Sequence, residues 1–184
     1  MSELLIGCGS KWDKRINTRG TNEWQKLTTL DNNGDHKPNI IHDLELFPYP
    51  FDDNTFDEIH AYEVLEHTGN QGDYHFFFNQ FSEFWRILKD GGLFCATVPH
   101  YKSKWAWGDP SHKRIINQGS LAFLCQEEYN MQVGVTTLSD FRHLYKADFD
   151  IKQRLEQGED SFIFILQAIK PSRYICPREN QARS

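Results

Sequence analysis

Glycines, carboxylates and imidazoles recur in this chain at spacings that could bind a nucleotide-like ligand and handle a proton. Leu4-Leu5-Ile6-Gly7-Cys8-Gly9-Ser10 runs three apolar residues straight into two glycines spaced by one. A short continuous apolar run reads as a strand covered on both faces. Glycine directly after it lets the backbone turn tightly and lets a ligand approach main-chain N–H groups with no Cβ in the way. In open α/β sheets this is where nucleotide-like ligands sit, although two such glycines also occur in a plain strand-to-loop turn. A second apolar run, Leu27-Thr28-Thr29-Leu30-Asp31, ends in an acid. It lies about twenty residues on, where a carboxylate at a strand tip can accept both hydroxyls of a ribose. Glu63, Glu66 and His67 share one face if their stretch is helical. Two carboxylates and an imidazole make a divalent-metal set, and His67 equally suits a general base for an O–H or N–H acceptor.

A second constellation is basic and aromatic. Residues 101–114 hold Lys102, Lys104, Lys113 and Arg114 interleaved with Tyr101, Trp105 and Trp107. Cations beside stacking faces suit an anionic or planar substrate such as a nucleotide sugar, a glycan or an unpaired base. The alternative is a loop that packs its tryptophans on the core and leaves its lysines solvated.

The elements that must position these groups alternate between short strands and helical or irregular stretches. Residues 39–43 and 56–62 read as the third and fourth strands, joined by a proline-bearing loop over 45–55. Apolar residues at three- and four-residue spacing predict a helix over 74–89, stopped by Asp90-Gly91-Gly92. A fifth strand follows over 93–98, then helices over 119–130 and 138–147. Residues 149–156 and 161–169 read as an antiparallel hairpin. Residues 11–25 are polar and weakly periodic, so they are expected to be irregular or shortly helical and to fold over the ligand. One domain over 1–170 and a polar, loosely held tail over 171–184 are expected.

Composition sets limits on function. The 184 residues carry a net charge of −6, which disfavours tracking a polynucleotide backbone except through a local patch. Fourteen Phe, five Trp and seven Tyr mark a chain with a packed core rather than a disordered one. No apolar run approaches a membrane span and no charged-then-apolar leader opens the chain. Cys8, Cys95, Cys125 and Cys176 form no CxxC pair, so four reduced thiols in a cytoplasmic protein are expected.

Taken in order, several short motifs resemble class I S-adenosylmethionine-dependent methyltransferases, and most closely their small "type 11" branch. They are Gly7-Cys8-Gly9-Ser10, Asp31, His42-Asp43-Leu44-Glu45 and the run from Pro50-Phe51-Asp52-Asp53 to Phe56-Asp57-Glu58-Ile59. Glu63-Val64-Leu65-Glu66-His67 and Arg86-Ile87-Leu88-Lys89-Asp90-Gly91-Gly92-Leu93 complete the series. The likeness holds in register over about residues 4–100, and more loosely at Asp109-Pro110-Ser111-His112 and the final hairpin.

The resemblance implies an α/β, Rossmann-like fold: a seven-stranded, mostly parallel sheet with an antiparallel last strand and helices on both faces. It implies methyl transfer from S-adenosylmethionine, leaving S-adenosylhomocysteine. By likeness, Gly7 and Gly9 would pass the cofactor's methionine part, and Asp31 would take the ribose. Asp43 and the backbone of Leu44 would take the adenine. Tyr62 and Glu63 would line the floor beneath the sulfonium. The acid that usually stands two residues before the first glycine is Leu5 here. The helix that usually precedes the first strand has no room, so the pocket would be more open, or closed by residues 11–25, a second copy or another partner.

Glu63, Glu66 and His67 also resemble the metal-binding set of quinone-biosynthesis O-methyltransferases. Many relatives carry the same pattern without a metal, and bracing of the pocket is the favoured reading. His67 is the leading catalytic residue, with His112 and His100 behind it. Neither DPPY nor NPPY follows the fourth strand, and a prolyl-cysteine nucleophile is missing from its expected place. A small-molecule or sugar acceptor, methylated on O or N, is therefore preferred to a nucleic-acid base. The rivals are a non-catalytic cofactor- or partner-binding protein and a nucleic-acid-directed enzyme.

Overall fold

The computed structural model describes residues 1–176; residues 177–184 of the expected tail lie outside the described residues. Seven strands form one sheet in the order β3-β2-β1-β4-β5-β7-β6. They are β1 (Ser2–Ile6), β2 (Lys26–Asp31), β3 (Ile40–Ile41), β4 (Phe56–Tyr62), β5 (Leu88–Pro99), β6 (Phe149–Gln157) and β7 (Ser161–Ala168). Pairings from β3 through β5 are parallel, and β7 runs antiparallel to both of its neighbours. The strand order reverses between β1 and β4, and in an open α/β sheet that reversal leaves a crevice beyond the carboxyl ends of the strands.

Helix α1 (Tyr74–Ile87) lays Phe78, Phe81, Phe84 and Ile87 on one face of the sheet. Phe84 stacks on Phe94 of β5 with centroids 4.5 Å apart. The Asp73 carboxylate caps the helix by accepting from Phe76 N at 3.0 Å. The helix ends at Ile87, two residues before the predicted end at residue 89. The N–H groups of Asn54 and Thr55 take the carbonyls of Arg86 and Ile87 at 3.0 and 2.8 Å, and Leu88 pairs with Phe56 as the first residue of β5.

The predicted helix over 119–130 is two helices, α3 (Gln118–Ala122) and α4 (Gln126–Gln132), after a short α2 (Trp105–Gly108). Asn117 forms a capping box on α3, and Asp148 Oδ1 accepts from Gln126 N at the start of α4. The chain therefore breaks at the extended Cys125. No helix forms over 138–147. Asp140 clamps Arg142 from two residues away at 2.9 and 2.8 Å, and Tyr129 takes the amide of Phe141, so local side-chain bonds displace the helical ladder. The start of the tail is not loose. Arg173 is pinned to Asp148 at 2.7 Å and to Asp150 at 2.6 Å.

The opposite face of the sheet carries residues 11–25, which form no helix. A smaller core of Leu5, Cys8, Ile16, Tyr62, Cys95 and Ile165 lies beneath them. A buried polar cluster staples them down. Lys14 Nζ sits between Glu3 and Glu58 at 2.5 and 2.9 Å, Thr18 Oγ1 donates to Glu58 at 2.5 Å, and Gln25 N donates to Glu3 at 2.6 Å. No helix of the described residues is long and apolar enough to cross a membrane.

Candidate active site

The tips of β1 and β2 are tied to one another before any ligand arrives. Gly7 and Gly9 both hold left-handed backbone conformations, with φ of +57° and +53°. At Gly7 the freedom is needed for packing, because a Cβ there would lie 1.8 Å from Val64 Cγ2. At Gly9 a Cβ would meet nothing within 4 Å. Asp31 Oδ2 accepts from Gly9 N and Oδ1 from Asn33 N, each at 2.8 Å. Asp31 is only 6 % exposed, and it lines a cavity of about 430 Å3.

Gly7, Gly9, Asp31, Asp43, Leu44 and His67 all line this cavity. Asp43 and Leu44 are held by a turn in which Asp43 Oδ1 accepts from Glu45 N at 2.9 Å and Leu44 O accepts from Tyr49 Oη at 3.1 Å. Sequence reasoning gave no role to His36, His42, Val64 and Thr68 and placed Lys113 only in the basic loop, yet these and Glu45 also face it. His36 comes from a single turn of 3-10 helix capped by Asn33, and its Nδ1 lies 3.3 Å from Asp31 Oδ2. The Asn33-Gly34-Asp35 turn signal after β2 was its only trace in sequence. Lys113 reaches Glu45 at 2.7 Å and holds that carboxyl below its usual range.

Tyr62 does not join the cavity. Alternation along β4 turns Ala61 toward the α1 face and Tyr62 toward residues 11–25, where its hydroxyl accepts from Arg15 N and Ile16 N at 3.1 and 3.2 Å. Glu63 takes a φ of +54° and donates its N–H to Thr97 O, and Val64 forms the cavity wall in its place. The stretch after it is one turn of 3-10 helix, Leu65–His67, so Glu63, Glu66 and His67 do not form the one-faced helical set that their spacing suggested.

His112 arrives instead. The His67 and His112 rings meet edge to face with centroids 4.6 Å apart, and one ligand atom each of Glu66, His67 and His112 lies within 4.8 Å of the others. Burial, and then His112, lower the pKa of His67, which keeps the ring neutral. Glu66 is 2 % exposed, and burial followed by the neighbouring Glu63 carboxylate pushes its carboxyl well above the usual range. His100 lies elsewhere. It is buried at the end of β5, where its N–H donates to Asp160 O and its Nε2 sits 3.5 Å from Glu156 on the hairpin. In the basic loop Trp105 and Trp107 are 57 and 59 % exposed, so they do not pack on the core.

The methyltransferase-domain family profile matches residues 4–96. No curated protein sequence matches the chain. Among solved structures, a SAM-dependent methyltransferase from Archaeoglobus fulgidus is similar at 14 % identity and a TM-score of 0.55, over 90 % of this chain and 85 % of that one. The N-methyltransferase NodS from Bradyrhizobium japonicum WM9, in complex with S-adenosyl-L-homocysteine, is similar at 15 % identity and a TM-score of 0.52, over 91 and 77 %. A chain in the complex between the Haloferax volcanii Trm112 methyltransferase activator and a methyltransferase is similar at 15 % identity and a TM-score of 0.53, over 91 and 82 %. With its strand order, its glycine turn and half of its length matched by the profile, this chain belongs to the methyltransferase-domain family.

Proposed function

We propose that the chain transfers a methyl group from S-adenosylmethionine to an O or N atom of a small-molecule or sugar acceptor. The observation that carries this is the cavity at the strand tips, with open space at Gly9 and the buried Asp31 carboxylate at its wall. Its size falls within the ~300–1,000 Å3 of small-molecule sites. The residues present fit the cofactor: Asp31 would accept the ribose hydroxyls, Asp43 and the Leu44 backbone would meet the adenine, and Gly9 would pass the methionine part. When bound, the cofactor supplies a methyl group on a good leaving group. The tasks left to the protein are aligning the acceptor, excluding water and taking up a proton. His67 would receive that proton, a role supported by its position on the cavity wall and by the burial that lowers its pKa. The exposed Tyr101, Trp105 and Trp107, with Lys102 and Lys104 beside them, offer an acceptor platform.

Calorimetric titration with S-adenosylmethionine and S-adenosylhomocysteine tests this reading. We expect binding of both at one equivalent, abolished in Asp31→Ala. Failure of the native chain to bind either would overturn the stand-alone enzyme. A second reading, a site completed by a partner, is favoured by exposed apolar side chains beside the cavity: Trp12, Ile41 and Leu46. Under that reading, cofactor binding appears only when the partner is added.

A further inference from the structure

Two groups of carboxylate and imidazole among the described residues are compact enough to hold a cation. In one, Glu3, Glu58 and His60, the cation is already supplied by the chain, because Lys14 Nζ sits between the two carboxylates. The other, Glu66, His67 and His112, has no such occupant. Arg114 lies beside Glu66, yet its guanidinium is committed to Leu65 O at 2.9 Å, to Thr68 Oγ1 at 3.0 Å and to Gln80. Lys113 is paired with Glu45. Both carboxylate oxygens of the buried Glu66 are left with no hydrogen-bond partner. A buried carboxylate without a donor is costly, and it either keeps a proton or receives a cation.

The two histidines are prepared for the second outcome. His112 Nδ1 meets Ala106 O at 3.3 Å, and a carbonyl can only accept, so Nδ1 carries the hydrogen. Ser111 Oγ spends its own hydrogen on Asp109 Oδ1 at 2.6 Å and so accepts from His67 Nδ1 at 3.0 Å. Each ring is thereby fixed in the tautomer whose Nε2 is bare. This is the arrangement of metal-ligating histidines, in which the outer nitrogen is held by a carbonyl or by a carboxylate chain. Asp109 Oδ2, 3.8 Å from His112 Nε2, is a further oxygen within reach. Ligands about 2.0–2.2 Å from a cation stand at most about 4.4 Å apart. A set already within 4.8 Å therefore needs only a slight closing.

We propose that Glu66, His67 and His112 form a binding site for a first-row divalent transition-metal cation at the edge of the cavity. Two imidazoles select zinc, cobalt, nickel or iron over magnesium, which prefers an all-oxygen shell. Because His67 also lines the cavity, the cation can take an acceptor oxygen and lower the pKa of its hydroxyl. In that state His67 is a ligand and not a base. The part of the proposal concerning the acceptor rests on the function proposed above; cation binding does not.

The test uses Co2+ added to the chelator-treated full chain, read by visible absorption and calorimetry. One equivalent is expected to give d–d bands, without the near-ultraviolet band of cobalt–thiolate, and Zn2+ is expected to displace it. His112→Asn and Glu66→Gln are each expected to weaken Co2+ at least tenfold, and Ser111→Ala about 10–100-fold through the freed His67 ring. No d–d absorption with the native chain, a thiolate band, or an unchanged affinity in His112→Asn would overturn the site. If His112→Asn does not fold, Ser111→Ala decides, since an unaltered affinity there is equally fatal. Parallel titration with S-adenosylhomocysteine separates the two claims: Co2+ binding without cofactor binding leaves the metal site standing and removes the stand-alone methyl-transfer reading.

Discussion

Replacing Lys14 by methionine would keep the length of the side chain and delete the charge that sits between two fully buried carboxylates. Lys14 Nζ meets Glu3 at 2.5 Å and Glu58 at 2.9 Å, and both acids are shut off from solvent. Removing one partner of a buried ion pair costs about 3–5 kcal/mol, and here Glu3 would lose its ammonium partner while Glu58 would keep only the half-exposed Arg19, whose Nε lies 3.1 Å away. For a chain of this size each kcal/mol lowers Tm by about 2–4 °C, so a fall of about 6–20 °C is expected by calorimetry or circular dichroism. That is a large part of the ~5–15 kcal/mol by which a domain is stable.

The loss also has a pH signature. Burial raises the pKa of Glu58, but hydrogen bonds from His60, Thr18 and Lys14 outweigh it and hold the carboxyl far below its usual range. A depressed pKa contributes stability above the unfolded value, about 4.5, and that stability is lost as the pH falls through the folded value. The native chain should therefore weaken on acidification below about pH 4.5, and Glu58→Gln should flatten that slope. His60 is kept neutral by burial while its Nε2 donates to Glu58 at 2.9 Å. In Lys14→Met a protonated His60 can replace the missing charge, so the penalty should be smaller at pH 6 than at pH 8. A Tm within 3 °C of native at pH 8 would refute the view that this cluster holds residues 11–25 on the sheet.

The glycine turn separates packing from binding. Gly7→Ala should lower Tm through the Val64 clash and the positive φ, and Val64→Ala in the same chain should restore part of it. Gly9→Ala carries the same positive-φ strain but has room for its Cβ, so its Tm should fall less than that of Gly7→Ala while it loses affinity for S-adenosylhomocysteine. Asp31→Asn should weaken that ligand roughly 10- to 150-fold, the equivalent of one charged hydrogen bond of about 1.5–3 kcal/mol. An unaltered Kd by calorimetry would remove Asp31 from the ribose role. Trp105→Ala and Trp107→Ala should leave stability within about 0.5 kcal/mol, since both rings stand in solvent, and raise the KM of the acceptor in a methyl-transfer assay. A fall in Tm instead would show that the loop packs on the core.

Strands and the first helix were legible because their signal is local. The runs at Leu4, Leu27, Phe56 and Ser161 are too apolar to be left exposed, and the three- and four-residue spacing over 74–87 leaves one stripe for the sheet. The glycine turn and the acid beside it were legible as positions at the cavity, because a turn with positive φ at a strand tip favours residues without a Cβ. The helix predicted over 138–147 failed because Asp140 and Tyr129 offered its backbone competing bonds that no periodicity records. The split between α3 and α4 likewise depends on Asp148, a cap from more than twenty residues away. Tyr62 was misplaced by a single step of strand alternation, which exchanges one face of a sheet for the other. The sequence by itself therefore determined the sheet, the glycine turn and their order. Only the tertiary structure decided that Lys14 would be buried between Glu3 and Glu58, and that His112 and Ser111 would close on Glu66 and His67. Those groups come from loops whose paths are set by long-range contacts, and spacing along the chain carries no information about which loops will meet.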